Sequence, residues 1–401
     1  MEFPSHIKVY LVGGSVRDQI LNVPSKDKDY VVVGATPNDM FALGFHQVGK
    51  DFPVFLHPKT GEEYALARRE RKIANGYKGF EVDASPNVTL KEDLKRRDLT
   101  INAMAFDGKD YIDPFNGLED LKHKILRPVS NAFKEDPVRV LRLARFKTRF
   151  QNFKLHESCT SEISSMRDEL KHLKPERVRL ELEKALLEKK PSIFFKTLFD
   201  LNVLDVIFPS IFALYGVEQS KQYHPEGDAF VHTLCVLDAI RQETQDLICL
   251  YTGLLHDLGK ALTPKEIIPK HIGHEHRGLA PVKEFLNHYG ILKHKNFILA
   301  FVKYHLHIHR LFDLKPKTLI EVLDAFKIKK LSDENLKRLL ICAKADIQGR
   351  VDHFKQEDYL KAAVLALELI DFSDISHNAK NIKDVVCMRK IKALEAIYSY
   401  S

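Results

Sequence analysis

Val9-Tyr10-Leu11-Val12-Gly13-Gly14-Ser15-Val16-Arg17-Asp18, followed by Asp27-Lys28-Asp29-Tyr30-Val31-Val32-Val33, is the stretch on which the reading of this chain turns. A short apolar strand runs into two glycines, and a helix carrying Arg17 follows. Glycines let backbone N–H groups come close to a phosphate, and a helix N-terminus favours negative charge. Alone, the same pair of glycines makes an ordinary tight turn. Residues two apart on a strand share a face, so Asp27 and Asp29 point the same way. Two carboxylates that close repel unless a cation lies between them. A hard divalent cation takes carboxylate oxygens and keeps positions open for substrate phosphates. A solvated turn-to-strand junction would also explain Asp-x-Asp. The metal reading gains its force from the glycines and the paired aspartates standing together.

Outward from this segment, the first third of the chain carries further strand signals at Tyr64–Ala67, Ala103–Phe106 and Tyr111-Ile112, punctuated by Gly, Pro and Asn. After Asp113-Pro114-Phe115-Asn116-Gly117 the apolar spacing turns helical and stays so. Eleven of the 19 histidines fall between His224 and His309, which marks that stretch as chemically distinct. With 401 residues the chain is too long for one ordinary core. The expected division is a head over 1–130, a helical neck and body over 131–215, a histidine-rich helical domain over 216–350 and a helical tail over 351–401. The fold class is α+β, a small mixed sheet with helices followed by all-α domains.

The totals exclude several classes. An apolar share of 44% beside 29% charged residues is that of a globular protein, and no apolar run approaches a membrane span. With neither a basic leader nor an apolar signal core at the start, a cytoplasmic protein is expected. Five scattered cysteines without a Cys-x-x-Cys pair argue for reduced thiols. A net charge of +7 is compatible with a polyanionic partner and equally with a slightly basic metabolic enzyme.

Taken together, Gly13-Gly14-Ser15-Val16-Arg17-Asp18 and Asp27-Lys28-Asp29 resemble the polymerase β-like nucleotidyltransferases, in particular the bacterial class II tRNA nucleotidyltransferase and poly(A) polymerase branch. Glu63-Tyr64-Ala65-Leu66-Ala67-Arg68, Arg96-Arg97-Asp98-Leu99-Thr100-Ile101-Asn102-Ala103-Met104-Ala105, Asp113-Pro114-Phe115-Asn116-Gly117-Leu118-Glu119-Asp120-Leu121 and Glu135-Asp136-Pro137-Val138-Arg139 continue the match in order. The resemblance implies untemplated addition of C, C and A to a tRNA 3′ end from CTP and ATP. Asp27 and Asp29 would hold two Mg²⁺ ions, one at the 3′-hydroxyl and one bridging the triphosphate. Gly14 and Arg17 would hold phosphates, Arg97 would add charge at the ribose or triphosphate, and Glu63 is the candidate third carboxylate.

Base choice has a candidate in the segment that follows. Asp136-Pro137 reads as a helix start, and Arg139, Arg142, Arg145 and Arg149 then share one helix face, with Val140, Leu143 and Phe146 off it. On pattern alone this is a basic, solvated stripe behind an N-cap. With the family in view, the Asp136 carboxylate would accept from the exocyclic amine of cytosine or adenine, and Arg139 would donate to the neighbouring ring position. Guanine and uracil would set a carbonyl against that carboxylate, a mismatch of about 1–3 kcal/mol or more. Arg142 and Arg145 would bind the triphosphate or steady the reading pair.

In the helical half, His224, His232, His256-Asp257 within Leu254-Leu255-His256-Asp257-Leu258-Gly259-Lys260, and Asp346 are similar to the H…HD…D pattern of HD phosphohydrolases. Imidazoles with carboxylates suit Ni²⁺, Mn²⁺, Mg²⁺ or Fe, and a bound ion would lower the pKa of a water for attack on a phosphoester. His232, His256, Asp257 and Asp346 are the expected ligands. His274, His276 and His305 could extend the site toward a second ion, and His271, His307 and His309 are expected to be exposed or capping. HD-bearing tRNA nucleotidyltransferases pair CCA addition with phosphatase, 2′-nucleotidase and 2′,3′-cyclic phosphodiesterase activities, so the resemblance implies these too. A tRNA acceptor end, no membrane, and a monomer or homodimer complete the expectation. The alternatives are a poly(A) polymerase, an enzyme adding only part of CCA, an HD phosphohydrolase whose head only binds RNA, and a non-catalytic RNA-binding protein.

Overall fold

The computed structural model describes residues 3–24, 28–48, 53–72, 80–347, 354–374 and 382–398. Asp27 therefore lies outside the described residues. The chain divides into two compact units, Met1–Arg177 with Asp200–Val203, and Val178–Phe199 with Leu204–Ser401. No helix among the described residues is long and apolar enough to cross a membrane.

The first unit is built on a seven-stranded sheet. Its strands are β1 (Lys8–Val12), β2 (Asp29–Val33), β3 (His46–Val48), β4 (Val54–Leu56), β5 (Glu63–Leu66), β8 (Ala105–Phe106) and β9 (Tyr111–Ile112). Their order is β3-β4-β5-β2-β1-β8-β9, and β2 with β5 is the parallel pair. Between them in sequence, β6 (Arg69–Lys72) and β7 (Phe80–Asp83) form a separate antiparallel hairpin. The alternation of β2 divides the core. Val32 joins Ile7, Phe45, Phe55, Tyr64 and Leu66 on one face, with Tyr30 stacked on Tyr64 at 4.5 Å. Val31 joins Val12, Val88, Leu94 and Ala103 on the other.

The expected strands are present, with two shortened: β5 ends at Leu66, before Ala67, and Ala103 follows a turn of 3₁₀ helix (Thr100–Asn102), so pairing there starts at Ala105. Beyond Gly117 the chain is helical as expected, except that Ile125–Leu126 and Lys154–Leu155 form a two-residue parallel ladder. Local capping explains where several helices start. Thr36 with Asp39, and Thr89 with Glu92, form capping boxes. The Asp113 carboxylate accepts from the N–H groups of Gly117 (2.8 Å) and Leu118 (2.9 Å), which starts helix Gly117–His123.

Helix Val138–Arg149 is joined to the head through buried polar groups. Asp98 accepts from Arg142 Nε (2.7 Å), from Asn102 Nδ2 (2.9 Å) and from the Leu99 N–H (2.8 Å). Asn102 in turn accepts from the Arg17 guanidinium, and Arg17 donates to Asp18 (2.9 Å), which also receives Arg149 (3.0 Å). Burial opposes the Asp98 charge, but Arg142 and the hydrogen-bond donors outweigh it and hold the carboxyl well below its usual range. Because every member is satisfied, the chain rigidifies what it connects.

The second unit is helical. Asp228 and Asp246 cap helices Ala229–Glu243 and Leu247–Leu255 by accepting the N–H of Val231 and of Ile248. Asp246 also holds Arg338 of helix Glu334–Asp346 at 2.6 Å. Helix Lys295–His309 packs beside these.

Asp98→Ala is expected to lower unfolding free energy by about 3 kcal/mol in urea denaturation, the low end for a broken buried pair because the Arg142 side chain keeps 36% of its exposure. A loss below about 1 kcal/mol would remove the network from the stabilising interactions.

Candidate functional site

In the first unit, strand pairing brings chemistry to one end of the sheet. Val12 is the register partner of Asp29, so the Gly13-Gly14 turn leaves the sheet beside Asp29. Asp29 is in turn the parallel partner of Glu63. Tyr30 and Tyr64 stack on the opposite face, so Asp29 and Glu63 lie side by side on the face of Val31. Both carboxylates are exposed at the strand ends. The Asp29 N–H donates to Ser15 Oγ at 3.4 Å, tying β2 to helix Gly14–Ile20. Asp27 precedes Asp29 by two residues in sequence.

The turn itself requires glycine at position 13. Its φ is +72°, and a Cβ there would stand 2.8 Å from Arg97 Nη1. Arg97 is thus laid against the turn, held by Asp93 at 3.2 Å. Gly14 opens the helix as expected. Arg17 does not face out: it is 3% exposed, bonded to Asp18 and Asn102, with Phe146 and Phe150 at 5.2 and 5.3 Å from its guanidinium. In this structure it braces the turn from below.

The arginine stripe of helix Val138–Arg149 is not simply solvated. Arg139 is buried and donates to the Ala132 carbonyl (2.5 Å) and the Arg96 carbonyl (2.7 Å). Arg142 meets Asp98, Arg149 meets Asp18, and Arg145 lies over the Phe146 ring at 4.5 Å. Val140, Leu143 and Phe146 are buried as expected. Asp136 caps the helix through the Val138 N–H (3.2 Å). Its carboxylate also takes both guanidinium nitrogens of Arg177, at 3.0 and 2.7 Å. Arg177 was not among the expected site residues, since it stands 41 positions away with no shared periodicity.

In the second unit, His232, His256, Asp257 and Asp346 converge. His232 Nε2 lies 3.1 Å from Asp346 Oδ1, and His256 Nε2 lies 3.2 Å from Asp257 Oδ2 and 3.5 Å from Asp346 Oδ1. His274 and His305 join them: His274 Nε2 is 3.2 Å from Asp257 Oδ1 and 3.0 Å from His305 Nε2. The Leu258-Gly259-Lys260 turn makes this possible. A Cβ on Gly259 would come within 1.9 Å of the His274 carbonyl oxygen, so only glycine lets the two backbones meet. Lys260, also buried, reaches Asp257 Oδ2 at 2.6 Å and Gln219 Oε1 at 2.6 Å.

Three of the outlying histidines depart from expectation. His276 is 66% exposed and stands apart from the cluster. His271 is buried, between Thr263 Oγ1 and the Glu218 carbonyl. His309 belongs to the centre, with Nε2 2.7 Å from Asp346 Oδ2. Its i, i+4 spacing from His305 was the signal that could have placed it there. Glu226, also missed, meets His232 Nδ1 at 2.5 Å and His224 Nδ1 at 3.3 Å.

The donor set fits a divalent cation. His256, His274 and His305 direct Nδ1 to the carbonyls of Gly253, His271 and Val302, at 2.9, 2.9 and 3.0 Å. Each Nε2 is therefore the lone-pair nitrogen. His256 Nε2 has no hydrogen-bond partner among the described residues, and the His274 and His305 lone pairs face each other. Nitrogen lone pairs turned on one another and on carboxylates repel unless a cation lies among them. Without one, burial opposes charge on His256, yet Asp257 and Asp346 outweigh it and push its pKa up to about 10. At His305 burial wins, and the pKa falls to about 3.

Residues 9–127 match the Poly A polymerase head domain, and residues 152–214 match the probable RNA and SrmB-binding site of polymerase A. The multifunctional CCA protein of Pasteurella multocida is 45% identical over 411 residues, spanning 97% of this chain and 97% of that protein. A solved CCA-adding enzyme in complex with ATP aligns with a TM-score of 0.64 at 21% identity, over 97% of this chain and 86% of its own. The Thermotoga maritima CCA-adding enzyme complexed with tRNA aligns with a TM-score of 0.61 at 21% identity, over 98% and 91%. These two structures share the fold. The sequence likeness to the Pasteurella protein runs through both units, well beyond the head, and by it this chain belongs to the multifunctional CCA protein family.

Proposed function

We propose that the first unit adds C, C and A in turn to the 3′ end of tRNA from CTP and ATP, releasing pyrophosphate. The observation that carries this reading is the pairing of Asp29 with Glu63 beside the Gly13-Gly14 turn. Carboxylates gathered next to a glycine turn and a helix N-terminus suit a nucleoside triphosphate whose charge is shared with divalent ions. Asp27, Asp29 and Glu63 would hold the magnesium, which when bound neutralises triphosphate charge and makes the attacking 3′-hydroxyl more acidic. Gly14 and Arg97 approach the phosphates, while Arg17 keeps the turn in place. The CCA-adding proteins that resemble this chain in sequence and fold support the same reading.

For base choice, Asp136 is the acceptor of the amine of C or A. Arg177 holds both of its oxygens, and since Oδ1 also accepts from the Val138 N–H, it is Oδ2 that keeps a second lone pair for a base. Arg139, engaged with two backbone carbonyls, would have to release them to meet the ring, so Arg177 is the nearer orienting group. Arg142 and Arg145 stand one and two turns further along the helix.

The second unit is read as a metal-dependent phosphohydrolase with phosphatase, 2′-nucleotidase and 2′,3′-cyclic phosphodiesterase activity. His232, His256, Asp257 and Asp346 would hold one transition-metal ion such as Ni²⁺ or Mn²⁺, and His274 with His305 a second, with Asp257 presenting one oxygen to each group. Such an ion supplies Lewis acidity toward water and a phosphoryl oxygen. Lys260 adds positive charge beside Asp257, and Glu226 fixes the ring of His232.

Transcripts of tRNA lacking the 3′ end, incubated with CTP and ATP singly and together and then sequenced, should gain C, C, A and stop. A long A-tail would instead indicate a poly(A) polymerase. Asp29→Ala should abolish addition, by at least about a thousandfold given the loss of a metal-bearing carboxylate, and leave phosphohydrolysis intact, whereas His256→Ala should do the reverse. Loss of both activities in either variant would contradict two separate centres. In assays with all four nucleotides, Asp136→Ala should raise incorporation of G and U relative to C and A. Unchanged selectivity would reject Asp136 as the reading group.

A further inference from the structure

A cavity of about 800 Å³ opens onto the histidine centre, with Asp257, His305 and Asp346 among its lining. Its mouth is chemically unlike its floor. Tyr223 and Ile272 stand there 59% and 66% exposed, the two large apolar side chains of the lining that are left to solvent. The Tyr223 ring has no aromatic partner among the described residues. Lys270 and Arg310 line the same cavity and form no ion pair among the described residues.

The position of Tyr223 is set by its loop. Backbone bonds from Tyr223 N–H (3.0 Å) and His224 N–H (2.8 Å) to the Ser220 carbonyl close the loop tip, and Gln219 N–H to the Gly227 carbonyl (2.9 Å) closes its base. Glu226, in the same loop, is fastened to His232 at 2.5 Å. The residue that orients a ligand of the centre and the exposed ring at the mouth therefore belong to one braced loop.

From this we infer that the cavity mouth is a subsite for the terminal nucleoside of an RNA 3′ end, the base stacking on Tyr223 against Ile272 and the preceding phosphodiester meeting Lys270 and Arg310. The inference rests on the phosphohydrolase reading of the same cavity, which needs only the terminal phosphate. An aromatic face accepts any base, and cations on the backbone position a strand without reading its sequence. The centre would thus favour an RNA end over a small phosphomonoester.

The chain contains no tryptophan, so Tyr223→Trp places a single indole fluorophore at the mouth. In metal-free buffer, the dinucleotide CpA carrying a 3′-phosphate should quench it saturably, and glycerol 2-phosphate at the same concentration should not. Adding Lys270→Glu and Arg310→Glu should raise the quenching midpoint at least about tenfold, as expected when two phosphate contacts are reversed. Absence of quenching, or an unmoved midpoint in the charge-reversed protein, would overturn the subsite. With metal restored, the ratio of kcat/KM for an RNA ending in a 2′,3′-cyclic phosphate to that for glycerol 2-phosphate should fall about tenfold in Tyr223→Ala and recover in Tyr223→Phe, in line with one base–aromatic stack. An equal loss in both variants would also overturn it. Failure of the wild-type protein to hydrolyse either substrate would count against the phosphohydrolase reading, and the metal-free quenching would still decide the subsite.

Discussion

The buried carboxylate of Asp98 organises the first unit. Three donors meet on it: the Leu99 N–H and the Asn102 amide from its own segment, and the Arg142 guanidinium from 44 residues on. Through Asn102 and Arg17 the same network reaches the helix that follows the glycine turn, and through Asp18 it returns to Arg149. A charge taken out of water must be matched fully or it destabilises the fold by several kcal/mol. That demand holds helix Val138–Arg149 in one relation to the strand end where Asp29 lies. Arg17, expected at the phosphates, is part of this brace.

The two centres solve the problem of gathered like charge in different ways. In the sheet, Asp29 and Glu63 stand at open strand ends, where solvent moderates their repulsion. In the helical unit, Asp257 and Asp346 are buried among imidazoles, of which His256, His274 and His305 have Nδ1 on backbone carbonyls and His232 has Nδ1 on the Glu226 carboxylate. The rings cannot turn away, so their lone pairs are committed to the centre. The first arrangement suits a transient metal–triphosphate complex, and the second a resident ion.

Glycine has a different use in each. At Gly13 it admits a positive φ and makes room for Arg97, whereas at Gly259 it lets two backbones touch so that His274 arrives beside Asp257. Neither role is visible from composition. Both follow once the neighbours are known.

Strand and helix content was legible in the sequence because alternation and helical spacing are local properties. The apolar run Tyr30–Val33 marked the strand that follows the aspartates, and the Ala229–Glu243 and Lys295–His309 segments carried their histidines on helices. The motifs likewise marked Asp29, Asp136, His232, His256, Asp257 and Asp346 by chain position alone. Partners across the fold were another matter. That Glu63 neighbours Asp29, that Arg177 grips the Asp136 carboxylate and that Glu226 steadies His232 depend on strand register and helix packing. Those are settled by burial and hydrogen-bond satisfaction among residues far apart in the chain, which no local period encodes.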